Sequence, residues 1–215
     1  MIAKQKKTFV YLLPFVLLLT TSAAFYFLPN ILGQKSGYFT GFLFYWLFWC
    51  LTVPFLMICK KGIVDLFKIN KPLFGKHQIR NIFFLLLPLI FVYSYQFPKV
   101  INQANIIVVI SSLLLSIINA TTEEILWRGT FLRVLGDNAK VYVLFSSLGF
   151  AIWHLAPQVV FNNKQPGGVF SFVAFAFVLG LLLSSVAKDT KSILLTTIVH
   201  ILFDLGGLGG RIYFN

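Results

Sequence analysis

Residues 105–127 read NIIVVISSLLLSIINATTEEILW, a stretch whose only ionisable members, Glu123 and Glu124, stand side by side near its end. A helix needs about 20 apolar residues to cross a hydrocarbon core, and this run is long enough. Six more runs of the same character lie at 9–28, 38–59, 81–97, 141–155, 169–187 and 192–209. Charges or Pro and Gly clusters, which end helices, separate them. A bilayer admits only helices or closed barrels, and continuous apolar runs are not the short alternating segments of a barrel. The expected fold is therefore all-α, a polytopic membrane helix bundle of about seven transmembrane helices with a mid-membrane site. Residues 1–215 form a single membrane domain on this reading.

Composition excludes the soluble alternatives. Hydrophobic residues make up 58% of the 215 and charged residues 11%, where a soluble domain carries about a quarter charged. The 18 Lys and Arg outnumber the 6 Asp and Glu, for a net charge of +12. These bases sit between apolar runs and not on one face, so they argue for membrane topology and against nucleic acid. With the N-terminus inside, 14 of the 18 fall on inner segments, and only Lys35, Lys99, Lys164 and Arg211 fall outside. Basic residues favour the cytoplasmic side, so the N-terminus is expected there.

The opening MIAKQKK and the apolar stretch ending TSAA look like a signal peptide, but the run continues through Phe25, Tyr26, Phe27 and Leu28, so a retained helix is expected. The connection from Lys60 to Arg80 interleaves Ile63, Val64, Leu66, Phe67 and Ile69 with lysines. It suits either an anionic inner leaflet or a plain basic loop that sets topology. Phe161 to Gly168 reads as a turn-rich outer loop. Cys50 and Cys59 are expected to pack, since their spacing suggests neither a disulfide framework nor a zinc site. Asn119-Ala120-Thr121 matches a glycosylation acceptor but lies inside an apolar run, out of reach. The abundance of Phe, Lys and Asn fits a bacterial cell membrane.

An ionisable group at bilayer depth costs about 2.5 to 3.5 kcal/mol and is by default a functional-site hypothesis. The fourth run carries Glu123, Glu124 and Arg128, the fifth His154, and the seventh His200 and Asp204. Counted from the inner ends of their helices, Glu123, His154 and Asp204 lie at roughly 20 Å and His200 at roughly 13 Å. One intramembrane histidine is usually a helix-to-helix hydrogen bonder, and a Glu–Arg pair alone only locks helices together. Their matched depth joins them into a site. Neighbouring residues on a helix diverge by about 100°, and Glu124 stands four before Arg128, the favourable order for a pair. Glu124 is thus the structural partner of Arg128, through a bidentate contact, and Glu123 is left for general-base work.

TEEILWRG gives EExxxR, FAIWH gives FxxxH and HILFD gives HxxxD, in that order over about residues 105–209. On these motifs the chain resembles the CAAX prenyl protease type II and bacteriocin-processing (CPBP/Abi) family of intramembrane glutamic endopeptidases. The resemblance implies a motif-bearing catalytic core at 105–209 and no cofactor. Glu123 would activate water, His154 would position or polarise it, and His200 with Asp204 would face the oxyanion. Glu124 and Arg128 would support them. The implied partners are the lipid bilayer and a membrane-associated or lipidated peptide or protein substrate. The last motif position is commonly Asn, and an ionised Asp204 cannot donate a hydrogen bond. Either Asp204 is protonated or it orients His200.

Three alternatives stay open at this point. Glu123, His154, His200 and Asp204 could hold a divalent metal such as zinc, although no HExxH arrangement is present. A bacteriocin self-immunity protein could sequester a peptide without cleavage. A proton- or ion-coupled transporter would also bury Glu, His and Asp, but it calls for paired hydropathy repeats that are absent. The charge distribution makes a direct prediction. A cysteine near Lys71 should resist an impermeant thiol reagent on intact cells and one near Lys164 should react; the opposite pattern would invert the bundle.

Overall fold

The computed structural model describes residues 3–102, 104–161 and 167–214. Seven helices follow one another: α1 Ala3–Leu32, α2 Gln34–Phe67, α3 Gln78–Ile101, α4 Ile106–Leu135, α5 Ala139–Trp153, α6 Gly168–Thr190 and α7 Leu194–Gly207. No strand occurs among the described residues. Six of these segments, α5 counted with its extension to Val159, are long and apolar enough to cross a membrane. The chain is a polytopic helical bundle. Leu19, Leu56, Ile106 and Phe170 are among the large apolar side chains that it leaves exposed on its outside, as a lipid-facing surface requires.

The bundle is held by a few close approaches. α1 lays Val10, Leu13, Leu17 and Phe25 into the core against α2 and α5. α5 and α6 pack closely, and Ser146 and Ser184 share a hydroxyl hydrogen bond of 2.9 Å across that interface. A Cβ at Gly180 would lie 2.9 Å from the Ser147 Cβ, so only glycine lets the two backbones approach this far. Apolar surface gives no drive for association inside lipid, and small residues that permit close packing take its place. α7 packs on α4 and α3.

Two helices stop short, and this shapes the site. α5 has 15 residues and α7 has 14, about 21 to 22 Å of helix against a core of about 30 Å. α7 is therefore not a full span by itself. It ends at Leu208, which adopts a left-handed φ of 49°. The chain then reaches Gly210, whose N–H donates to Ser112 Oγ at 2.9 Å. α5 ends at His154, and a 3-10 turn at Pro157–Val159 follows. Both ends lie toward the start of α4, and a bowl opens above them.

Three helices widen locally into π turns, at Tyr45–Thr52, Val92–Gln96 and Glu124–Thr130. Thr52 and Thr130 donate to carbonyls five residues back, Leu47 at 2.8 Å and Ile125 at 3.0 Å. Such widened turns are frequent at functional sites.

Two local expectations change. Cys50 packs in the core, but Cys59 is exposed at a kink in α2 with a φ of 56°. There the Lys6 ammonium donates to the Met57 carbonyl at 2.6 Å. The stretch from Lys60 to Arg80 is no loose amphipathic segment. Leu66 is buried beside Ile125, Ala187 and Ile193, and its carbonyl accepts from Ile193 N at 2.8 Å. Asp189 accepts from His77 N and Asn81 Nδ2 at 2.8 and 2.7 Å, which ties the loop to the end of α6. Residues 162–166 of the expected outer loop, Lys164 included, lie outside the described residues.

The Gly180 contact predicts its own test. Gly180→Leu should lower thermal stability in detergent by about 1 to 3 kcal/mol, the range for overpacking. Ser184→Ala should cost about 0.6 kcal/mol, the mean for intramembrane hydrogen bonds. Equal melting temperatures for the two variants would contradict the close approach of α5 and α6.

Candidate active site

His200, from the middle of α7, stands between the two neighbouring glutamates of α4. Its Nδ1 lies 3.0 Å from Glu124 Oε1, and its Nε2 lies 3.6 Å from Glu123 Oε2. Divergence by about 100° keeps the two carboxylates from sharing one atom, but the imidazole is wide enough to meet both, one at each nitrogen. The helix spacing that separates the two side chains carries no sign of this bridge, which comes from α7. Glu124 Oε1 also lies 3.1 Å from Arg128 NH1, and all three side chains are buried.

The Glu124–Arg128 contact differs from a bidentate pair. It runs through one nitrogen, and the Phe150 ring covers the guanidinium, with Arg128 Cζ 4.1 Å from the ring centre. A cation over an aromatic face gains stabilisation that grows as water is excluded. The helix is held as well from its backbone, where Tyr142 OH donates to the Arg128 carbonyl at 3.3 Å.

Glu123 has partners that the motifs do not contain. Tyr45 OH donates to its Oε1 at 3.0 Å and is itself held by Trp127 Nε1 at 2.8 Å. Asn119 Nδ2 lies 3.3 Å from Glu123 Oε2 and 2.9 Å from Asp204 Oδ2, while its Oδ1 accepts from Trp46 Nε1 at 2.9 Å. Asn119 thus joins both acids to α2. Asp204 Oδ1 lies 3.6 Å from His200 Nε2. The signal for Asn119 was present in the sequence, since it precedes Glu123 by four residues and so shares its helix face. Tyr45 and Trp46 lie outside 105–209 and carry no such signal.

His154 sits apart from this cluster and borders the same cavity. Its Nδ1 lies 2.7 Å from the Phe150 carbonyl. A carbonyl only accepts, so Nδ1 carries the proton and a neutral ring has a lone pair on Nε2. The ring packs edge-on between Phe150 and Phe172.

The cavity has a volume of about 580 Å³, and Glu123, Asn119, His154, His200 and Asp204 all border it. Much of the remaining wall is aromatic, with Phe42, Phe172, Phe175 and Phe203 among its members. Among the described residues, no group of three or more His, Cys, Asp or Glu side chains has the geometry to hold a metal ion. The carboxylates engage protein donors instead. The arrangement offers a carboxylate, a ring nitrogen with a lone pair and a clamped imidazole around one space.

A family model described as "Rce1-like: Type II CAAX prenyl endopeptidase Rce1-like" matches residues 105–206. Comparison with curated proteins and with solved structures found no match. The matched segment contains all three motifs, on α4, α5 and α7. Residues 105–206 are thus similar to the Rce1-like type II CAAX prenyl endopeptidases, and the match lies on the part of the membrane-embedded bundle that carries the buried ionisable cluster.

Proposed function

We propose that the chain hydrolyses a peptide bond near the end of a membrane-associated or lipidated peptide or protein, using water activated by Glu123. The observation that carries this reading is the Glu123 carboxylate, buried yet bordering the cavity, with Tyr45 and Asn119 holding its oxygens beside His200. A base held in one orientation can take a proton at the moment water attacks a carbonyl carbon. Glu123 takes that proton, the hydroxide adds to the carbonyl, and the carbonyl oxygen gains the negative charge. His154 accepts a hydrogen bond from the water at Nε2 and aligns it. His200, protonated on both nitrogens among the surrounding carboxylates, donates from Nδ1 to Glu124 and from Nε2 to the oxyanion, and fixed donors at such a point are worth several kcal/mol. Collapse of the intermediate breaks the C–N bond, and the proton held by Glu123 passes to the leaving amine.

Glu124 and Arg128 support this set. The carboxylate accepts from His200 Nδ1, which fixes the ring and directs Nε2 toward the cavity. Asp204 orients His200 and Asn119 and is not itself the donor, because its two oxygens face Nε2 and an amide N–H. The reading uses no metal. It places the protein in a bacterial cell membrane with the N-terminus inside, on the distribution of basic residues.

Glu123→Gln keeps size and polarity but removes the proton acceptor. Cleavage per folded molecule should fall by about 10²-fold or more, with normal accumulation in the membrane. The readout is the set of peptides that appear in membranes containing the active protein and not the variant. A sequestering protein would tolerate this substitution, and unchanged peptides would reject the proposal. Glu124→Gln should act first on stability, by about 3 to 5 kcal/mol, since it strands a buried guanidinium. A fully stable but inactive Glu124→Gln would reverse the two assignments. Activity in detergent should survive strong chelators, whereas loss restored by zinc would move the cluster to metal-ion activation of water.

A further inference from the structure

The cavity lies in the half of the bundle opposite to the basic connections. Every residue that borders it belongs to one half of the bundle. α3 contributes Phe91, Tyr95 and Gln96, from its second half, and α4 contributes from Ser112 as far as Glu123. α6 contributes from Ser171 to Leu179, its first half, and α7 from His200 onward to Tyr213 beyond its end. No bordering residue comes from 53–90, 124–149 or 180–199. Those are the segments that approach the other face.

The two faces differ in chemistry as well as in shape. The closed face is sealed under Glu123 by the buried Trp127, Arg128 and Phe131 and by Leu66 from the anchored connection. It carries the lysines of 60–76 together with Arg80, Arg133, Lys140, Lys188 and Lys191. The open face coincides with the ends of α5 and α7, whose helices proper are about a quarter shorter than the core thickness. Basic segments stay on the cytoplasmic side. The bowl therefore faces away from the cytoplasm.

We infer that this site takes its substrate from the extracytoplasmic side: a peptide segment with apolar side chains, lying in or just above the outer half of the bilayer, enters over the ends of α5 and α7 and descends to Glu123. The aromatic wall suits apolar side chains, Gln96, Gln158 and Ser171 can meet a peptide backbone, and the carboxylates and imidazoles of the site are grouped where the bond is cut. This rests on the proposed proteolysis for its outcome, but the direction of access can be measured without it.

Gly209 borders the cavity, and a Cβ there meets nothing within 4 Å. Gly209→Cys in a Cys59→Ser background reports on the bowl, and Lys76→Cys in the same background reports on the basic face. Intact cells are treated with a membrane-impermeant maleimide. The expected result is that Gly209→Cys reacts and Lys76→Cys reacts only after the membrane is opened. Protection of Gly209→Cys overturns the inference, whether Lys76→Cys reacts from outside or not. If Gly209→Cys does not accumulate, Ile212→Cys, on the same rim, takes its place.

A second arm tests use of the route. In the labelled cells, the membrane peptide pattern should shift toward that of Glu123→Gln, with cleavage products falling at least tenfold relative to the same variant left unlabelled. Labelling from outside with no change in products, while Glu123→Gln abolishes them, overturns the route and leaves the proteolysis standing. Products unaffected by Glu123→Gln reject the proteolysis, while the labelling still reports where the bowl opens.

Discussion

Burying a guanidinium without a carboxylate beside it is among the most costly arrangements a protein interior can hold. In this chain that requirement is met by Glu124, one turn before Arg128, and much of the site follows from the pairing. Glu124 engages both the guanidinium and His200 Nδ1, a contact that holds the His200 ring with its Nε2 toward Glu123 and Asp204. With Glu124 engaged, the adjacent Glu123 is turned to the other side of the same ring. Two identical neighbouring side chains, about 100° apart on the helix, thus meet different partners. The π segment from Glu124 to Thr130 accompanies this arrangement and presents Trp127 to Tyr45.

The bundle is matched to this clamp by the lengths of its helices. A helix pair of full length at α5 and α7 would fill the space above the acids with side chains. Stopping α5 at His154 and α7 at Leu208 places a histidine and an acid near helix ends, beside open volume. Close approach of α5 to α6, made possible by Gly180, holds the wall in place.

The seven runs and the ionisable cluster were legible because the membrane makes polarity conspicuous: Glu123, Glu124, His154, His200 and Asp204 stand out among residues chosen for lipid. Tyr45, Trp46 and Trp127 were not legible, since aromatic side chains also face lipid and apolar cores, and nothing in their spacing reveals a donated hydrogen bond. Asn119 was visible but read as an unreachable glycosylation acceptor; its position one turn before Glu123 was the better guide. The seventh run was legible as a helix and less so in its extent, because the run 192–209 extends past both ends of the helix proper, Leu194–Gly207. The π turns leave no mark in composition. Leu66 was drawn to the membrane surface by its basic neighbours, and only the position of the α6–α7 corner shows that it faces inward.

The clamp on His200 is the claim on which the rest depends, and its proton can be observed directly. Nitrogen-15 NMR of histidine-labelled protein in lipid, with the signal assigned by His200→Gln, reports which ring nitrogens carry hydrogen. Nδ1 of His200 should be protonated and hydrogen-bonded, and the Glu124→Gln variant, where it folds, should shift that signal. A bare Nδ1 in the unaltered protein would contradict the account, because Glu124 would then have no donor to accept from and nothing would direct Nε2 toward the cavity.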